Sequence, residues 1–174
     1  MSNHFLEIQN GNFIASEKNK VNNVNLIIEN QGQIISLLGP SGIGKTTILR
    51  TLAGLQKLNS GKIFLKGKLL SSEKNHVDPE KRNIALSFQD NSLFPNYKVI
   101  DNINFGKKRT NGNSFSLDVE EIIKILHIDP ILDKYPHQIS AGEAQRVSLA
   151  RSLMSMPDLL LLDEPFSNID ESLK

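Results

Sequence analysis

Apolar positions recur along this chain in two rhythms. FLEI (5–8), LII (26–28), IISLL (34–38), KIFL (62–65) and IALSF (84–88) are short apolar or alternating runs that predict strands. LLLL (159–162) is apolar throughout and predicts a fully buried strand. KTTILRTLAGL (45–55) has apolar residues at 48, 49, 52 and 55, a helical spacing. Val119, Ile122, Ile123 and Leu126 stand at i, i+3, i+4 and i+7 of a second helix, with Asp118 as its N-cap and Glu121 three residues on. Residues 143–155 carry a third helical pattern, and the polar stretches 71–83 and 107–114 predict loops. Early strands, a strand–loop–helix unit, a helical middle and a final buried strand make a mixed α/β domain.

Composition narrows this picture only a little. With 174 residues, 39% of them hydrophobic, the chain can bury a core of its own. Twenty basic residues against nineteen acidic leave +1, which gives no reason to expect nucleic acid as a partner. There is no cysteine, so disulfides and thiolate metal sites are excluded. MSNHFLEIQN lacks a basic start and a long apolar stretch, so no signal peptide is expected. No run approaches the roughly 18 apolar residues of a membrane helix. The expectation is a cytoplasmic chain, held at any membrane by another protein.

Three stretches carry chemistry. GPSGIGKT (39–46) matches G-x-x-x-x-G-K-[ST], with a predicted strand before it and a helix after it. Gly39, Pro40, Ser41, Gly42, Ile43, Gly44, Lys45, Thr46 and Thr47 are therefore the candidate nucleotide-binding residues. Gly42 and Gly44 let backbone N–H groups turn onto phosphate oxygens; Lys45 can reach the β- and γ-phosphates, and the Thr46 hydroxyl can ligate Mg²⁺. A glycine-rich turn that binds nothing is the minor alternative in this context. LLLLDEP (159–165) places Asp163 and Glu164 off the end of a buried strand. Asp163 would hold Mg²⁺ or its water, and Glu164 would orient or deprotonate an attacking water. The alternative is an ordinary turn broken by Pro165. In ISAGE (139–143), Ser140 and Gly142 precede a helical run, where free N–H groups favour an anion. Serine is also a preferred N-cap, and for Ser140 alone that is the better reading.

The ordered set GPSGIGKTT (39–47), SFQD (87–90), ISAGE (139–143), LLLLDEP (159–165) and SNID (167–170) resembles the nucleotide-binding subunit of ATP-binding-cassette (ABC) transporters over nearly the whole chain. The resemblance implies a P-loop NTPase, ABC-type ATPase core with an N-terminal antiparallel β subdomain and a helical subdomain carrying the signature motif. Residues 1–88 plus 157–174 would form the core and β part, and about 89–156 the helical part. ATP and Mg²⁺ are the implied cofactors. Two subunits, either copies of this chain or a homologous partner, would face head to tail in an ATP sandwich. Ser140 and Gly142 would then close over the partner's γ-phosphate. Gln89 would touch Mg²⁺ and the water, and the region 89–106 would dock an integral-membrane permease, making the chain peripheral at the inner face of the cell membrane. Leu93, Phe94 and Pro95 offer an apolar loop for that contact, although Phe94 packed inward is an equal reading.

The chain also departs from the family pattern. Ala141 replaces the first signature glycine, and Glu143 stands where glutamine is common. Ala15 occupies the position of the usual adenine-stacking aromatic; Phe13 nearby could substitute, or could be an inward core residue. Asn168 and Ile169 replace the usual Ala-Leu. The chain ends at Lys174, and the four histidines at 4, 76, 127 and 137 are all upstream of the family's switch histidine. That histidine and the last strand are thus expected to be absent, either by truncation or because the cassette binds ATP without turnover. LFPNYKVIDNINFG, YPHQISAGEAQR and LLDEPFSNIDESLK look most like ferric-iron importer subunits, with polyamine and thiamine importers close behind. The first expectation is an importer's motor ATPase. A binding-only cassette and a soluble non-transport ABC ATPase are the alternatives.

Overall fold

The protein is described by a computed structural model. It describes residues 4–14, 20–87, 92–107 and 117–165. The chain divides into two compact units, residues 1–82 and 83–174.

In the first unit, β1 (Leu6–Ile14), β2 (Lys20–Ile28), β3 (Ser60–Leu65) and β4 (Lys68–Ser72) form an antiparallel sheet in the order β2-β1-β3-β4. Leu6 pairs with Ile28 on one side and with Leu65 on the other. Irregular pairing between Ile8 and Phe13 shifts the alternation of β1, so that Leu6, Ile8 and Phe13 are all buried. Helix α1 (Lys45–Leu52) packs on β1 and buries Leu49 and Leu52. Its last carbonyls, Thr51 O and Leu52 O, each accept from Arg82 Nη1 at 3.0 Å. Arg82 also donates to Val77 O at 2.7 Å, to Ser71 Oγ at 2.8 Å and to Leu70 O at 3.3 Å. Burial pushes this guanidinium down to about 10, with the Asp78 carboxylate opposing the shift without cancelling it. Its charge is favourably placed at a helix C-terminus.

The strand expected at 34–38 does not form. Residues 33–40 lie outside any strand, and Ile34 and Leu38 are 96% and 91% exposed. An apolar run encodes a wish for burial but not the neighbour that satisfies it. A strand also needs a partner ladder, and among the described residues no strand pairs with 33–40. The reverse correction applies at β4, whose last residues lie within the stretch expected to be a loop.

In the second unit, β5 (Ile84–Ser87) and β6 (Leu159–Leu162) pair in parallel, from Ile84 opposite Leu159 to Ser87 opposite Leu162. Helix α4 (Ala141–Met154) packs on β5 and on α2 (Val99–Lys107), with α3 (Val119–Ile125) alongside. Residues 84–87 and 159–165 lie in the same compact unit as these helices. Val99, Ile103, Ile122, Ile123, Val147 and Met154 fill the core of this unit. Asp118 caps α3 as expected, accepting from Glu120 N at 2.9 Å.

Gly106 lets α2 approach α4. A Cβ there would collide with the Arg151 carbonyl oxygen and lie 3.1 Å from Met154 Cβ. A backbone carbonyl cannot swing aside as a side chain does. In an exposed helix Gly→Ala gains about 0.5–1 kcal/mol. Here Gly106→Ala should instead destabilise by about 1–3 kcal/mol through overpacking. A chemical denaturation midpoint that rises in the variant would refute this packing.

Candidate functional site

Residues 39–43 are exposed, and Gly42 and Gly44 take φ of +80° and +107°, conformations open to glycine without strain. Gly44 is needed twice over, because a Cβ there would also collide with Val21 of β2. Helix α1 starts directly after it. No side chain caps this helix start, and no acidic residue lies in its first turn. A helix start of this kind, following glycines, favours an anion. Lys45 Nζ folds back over the loop and donates to Gly39 O at 2.7 Å and Pro40 O at 3.0 Å. Thr46 is half-buried at the second helical position. Thr47 is buried, and its carbonyl accepts the Thr51 hydroxyl at 2.8 Å, which sets it apart from the exposed loop residues. Phe13 is wholly buried and presents no face to a nucleotide base, so the inward reading holds. The shifted alternation of β1 is what turns it in.

In the second unit, Asp163 N donates to Ser87 O at 3.2 Å, carrying the β5–β6 ladder one residue past β6. Asp163 is half-buried and Glu164 is exposed. Glu164 has φ +50°, a left-handed backbone that costs a non-glycine residue of order 1–3 kcal/mol. Gln145 of α4, buried at 6% exposure, donates from Nε2 to Glu164 O at 3.3 Å and to Pro165 O at 2.7 Å.

Ser140 is the N-cap of α4. Its Oγ accepts from Glu143 N at 3.2 Å, and Glu143 Oε2 accepts from Ser140 N at 2.7 Å. The glutamate that departs from the family pattern thus closes a reciprocal capping box. Gly142 is half-buried in the first turn. Gln89 and the stretch 167–170 lie outside the described residues.

A third feature surrounds the apolar loop. Phe94 is 37% exposed, with its ring 4.6 Å from that of Phe105 and 5.4 Å from that of Tyr97, and with Arg151 5.3 Å from its centroid. It therefore combines the inward and outward readings. A cavity of about 260 Å³ beside it is lined by Tyr97, Asp101, Asn104 and Phe105. Fully buried Asn102 holds the loop in place: Oδ1 accepts from Phe94 N at 2.8 Å, and Nδ2 donates to Phe94 O, Tyr97 O and Lys98 O at 3.1–3.2 Å. Asn102, Gln145 and Arg82 were not singled out from the sequence. Their only local signal is a polar residue on an otherwise apolar helical face or next to a strand.

The family model described as "ABC transporter" matches residues 21–167. A Fusobacterium nucleatum protein named "Fe(3+) ions import ATP-binding protein FbpC" is 40% identical over 86% of this chain and 42% of its own length. "Glucose import ATP-binding protein GlcV" of Saccharolobus solfataricus is 43% identical over 88% of this chain and 44% of its own. The chain thus spans somewhat under half the length of these relatives. A solved ATP-binding cassette, dimeric in a post-hydrolysis state with ADP and Pi, superposes with a TM-score of 0.79 at 25% identity, covering 96% of this chain and 77% of that one. The fold is that α/β cassette. Among the described residues no helix is long and apolar enough to cross a membrane.

The capping box makes a pH prediction. The Ser140 backbone N–H holds the Glu143 carboxyl below its ordinary value of 4.5, with burial opposing. A depressed carboxylate contributes stability that is present above 4.5 and is lost as pH falls through the lower folded value. Glu143→Gln keeps the box without the titration. Wild type should therefore lose its stability advantage over Glu143→Gln on acidification through that window. Parallel denaturation curves at every pH would show that the box is not the source.

Proposed function

Because the chain belongs to the ABC transporter ATP-binding family, we propose that it is the ATP-binding and ATP-hydrolysing motor of an importer. One observation supports this most directly: a glycine loop leading into the uncapped start of α1, with the Lys45 ammonium lying over the loop carbonyls. Phosphate oxygens are better partners for that ammonium than neutral carbonyls, and the α1 N–H groups point the same way along the dipole. Glu164 is proposed to take a proton from, or orient, the attacking water, and Asp163 to bind metal or its water. Thr46, Gln89 and Asp163 supply hard oxygen donors of the kind Mg²⁺ prefers. Bound there, the ion would neutralise phosphate charge.

The partners follow from the same reading. Ser140 and Gly142 are proposed to cover the nucleotide of a second cassette, either another copy or a homologue, in a head-to-tail pair. The aromatic cluster at Phe94, Tyr97 and Phe105, with its adjoining cavity, suits an apolar helix end of a membrane permease. That permease would place the chain at the cytoplasmic face of the membrane. Ferric iron, named for the Fusobacterium relative, is the proposed solute. Glucose, named for the Saccharolobus relative, is the competing one. Solute uptake by cells carrying this cassette with its own permease, measured with radiolabelled iron and glucose, distinguishes them.

Lys45→Ala removes a charge-assisted contact worth roughly 1.5–3 kcal/mol, so MgATP affinity should fall at least about tenfold. Equal titration curves for variant and wild type would refute the phosphate site. Gly142→Asp adds a carboxylate where the second cassette's γ-phosphate is proposed to lie. Like charges in such a site cost several kcal/mol. ATP-driven dimerisation in the Glu164→Gln background, followed by light scattering, should disappear while ATP binding by the monomer persists. Unimpaired dimers would leave ISAGE as a helix cap alone.

A further inference from the structure

Gln145 gives both hydrogens of its amide to the turn that carries Glu164. Nε2 donates to Glu164 O and to Pro165 O. Carbonyls can only accept, so the amide must face them with its nitrogen. Its Oε1 is buried and has no partner among the described residues. A leucine of similar shape would fill the same space without an orphaned oxygen. Packing therefore does not explain the glutamine, whereas the two donated bonds do.

Those bonds fall where the backbone is least comfortable. Glu164 sits at φ +50°, a conformation that persists only when its surroundings hold it. From the N-terminal side it is held by Asp163 N bonded to Ser87 O. From the other side it is held by Gln145. This φ sets the direction of the Cα–Cβ bond, and so limits the region that the side-chain torsions can give the Glu164 carboxylate.

Gln145 also stands on α4 only a turn beyond Ser140 and Gly142. We propose that Gln145 is a positioning residue for Glu164, holding its left-handed backbone so that the carboxylate is aimed at the attacking water, and that it ties this aim to the start of α4. A shift of α4 relative to β6 would lengthen the 2.7 Å bond to Pro165 O and release the turn. The proposal rests on the hydrolytic reading of Glu164 given above, but its structural half stands apart from it.

The test uses Gln145→Leu, which keeps volume and removes the donor, and Gln145→Glu, which donates only when protonated. The first readout needs no turnover: the three-bond HN–Hα coupling and the amide exchange of Glu164 by NMR. Both should move away from their wild-type values in Gln145→Leu, and in Gln145→Glu at neutral pH. In Gln145→Glu they should return toward wild type as the pH falls and the new carboxyl takes up a proton. Unchanged values in a folded variant overturn the proposal. The second readout is steady-state hydrolysis at a temperature where all variants are folded. A misaimed catalytic group can cost about a hundredfold, so kcat should fall by that order while KM for MgATP stays within about twofold. If KM rises with kcat unchanged, Gln145 does not act through Glu164 and the proposal fails. If wild type binds MgATP without hydrolysing it, the hydrolytic reading falls, and the NMR result alone decides whether Gln145 holds the turn. Should Gln145→Leu fail to fold, the pH dependence of Gln145→Glu still gives a positive or negative answer.

Discussion

Backbone groups left over where helices and strands end must find partners, and much of this chain is arranged around that requirement. Three buried side chains supply several of them. Arg82 takes the last carbonyls of α1 and ties them to β4. Asn102 takes three carbonyls and an N–H of the loop that precedes α2. Gln145 takes two carbonyls of the turn after β6. Each is a polar group in an apolar setting, where the bonds it donates offset the cost of burying it.

The exception is informative. At the start of α1 no side chain does the same service, whereas α3 and α4 are capped by Asp118 and Ser140. The uncapped start follows the glycine loop, and the capped ones do not. A helix start without a side-chain cap and with a lysine beside it suits an anion; a capped one makes a helix boundary. Ser140 shows that the two roles compete, since its hydroxyl is already engaged with Glu143 N.

Close backbone approach is the other recurring device. Gly44 passes beside Val21 and Gly106 beside Arg151, and in each case the missing Cβ is what lets one element reach another. The first contact sets the phosphate loop against β2, and the second sets α2 on α4. The aromatic cluster at Phe94 rests on that second contact, because Phe105 and Arg151 come from the two helices so joined. The Phe94 surface and the helical core therefore depend on one glycine.

Local pattern was enough to determine several features of this protein. The phosphate loop, its following helix, the Asp118 cap, the Asp163–Glu164 pair off a buried strand and most strands depend on neighbours a few residues away, and all were legible in the sequence. The Ser140–Glu143 box was written there too, as Ser-x-x-Glu. Tertiary structure decided whatever depends on residues distant in the chain. It left IISLL without a ladder, because apolar character does not name a strand's partner. It turned Phe13 inward, because irregular pairing with the strands beside β1 shifts the alternation. It brought Arg82 to Thr51 and Gln145 to Pro165, because the carbonyls they satisfy lie some 20 to 30 residues away. Periodicity reports which face of an element is buried, and only packing reports what lies across from it.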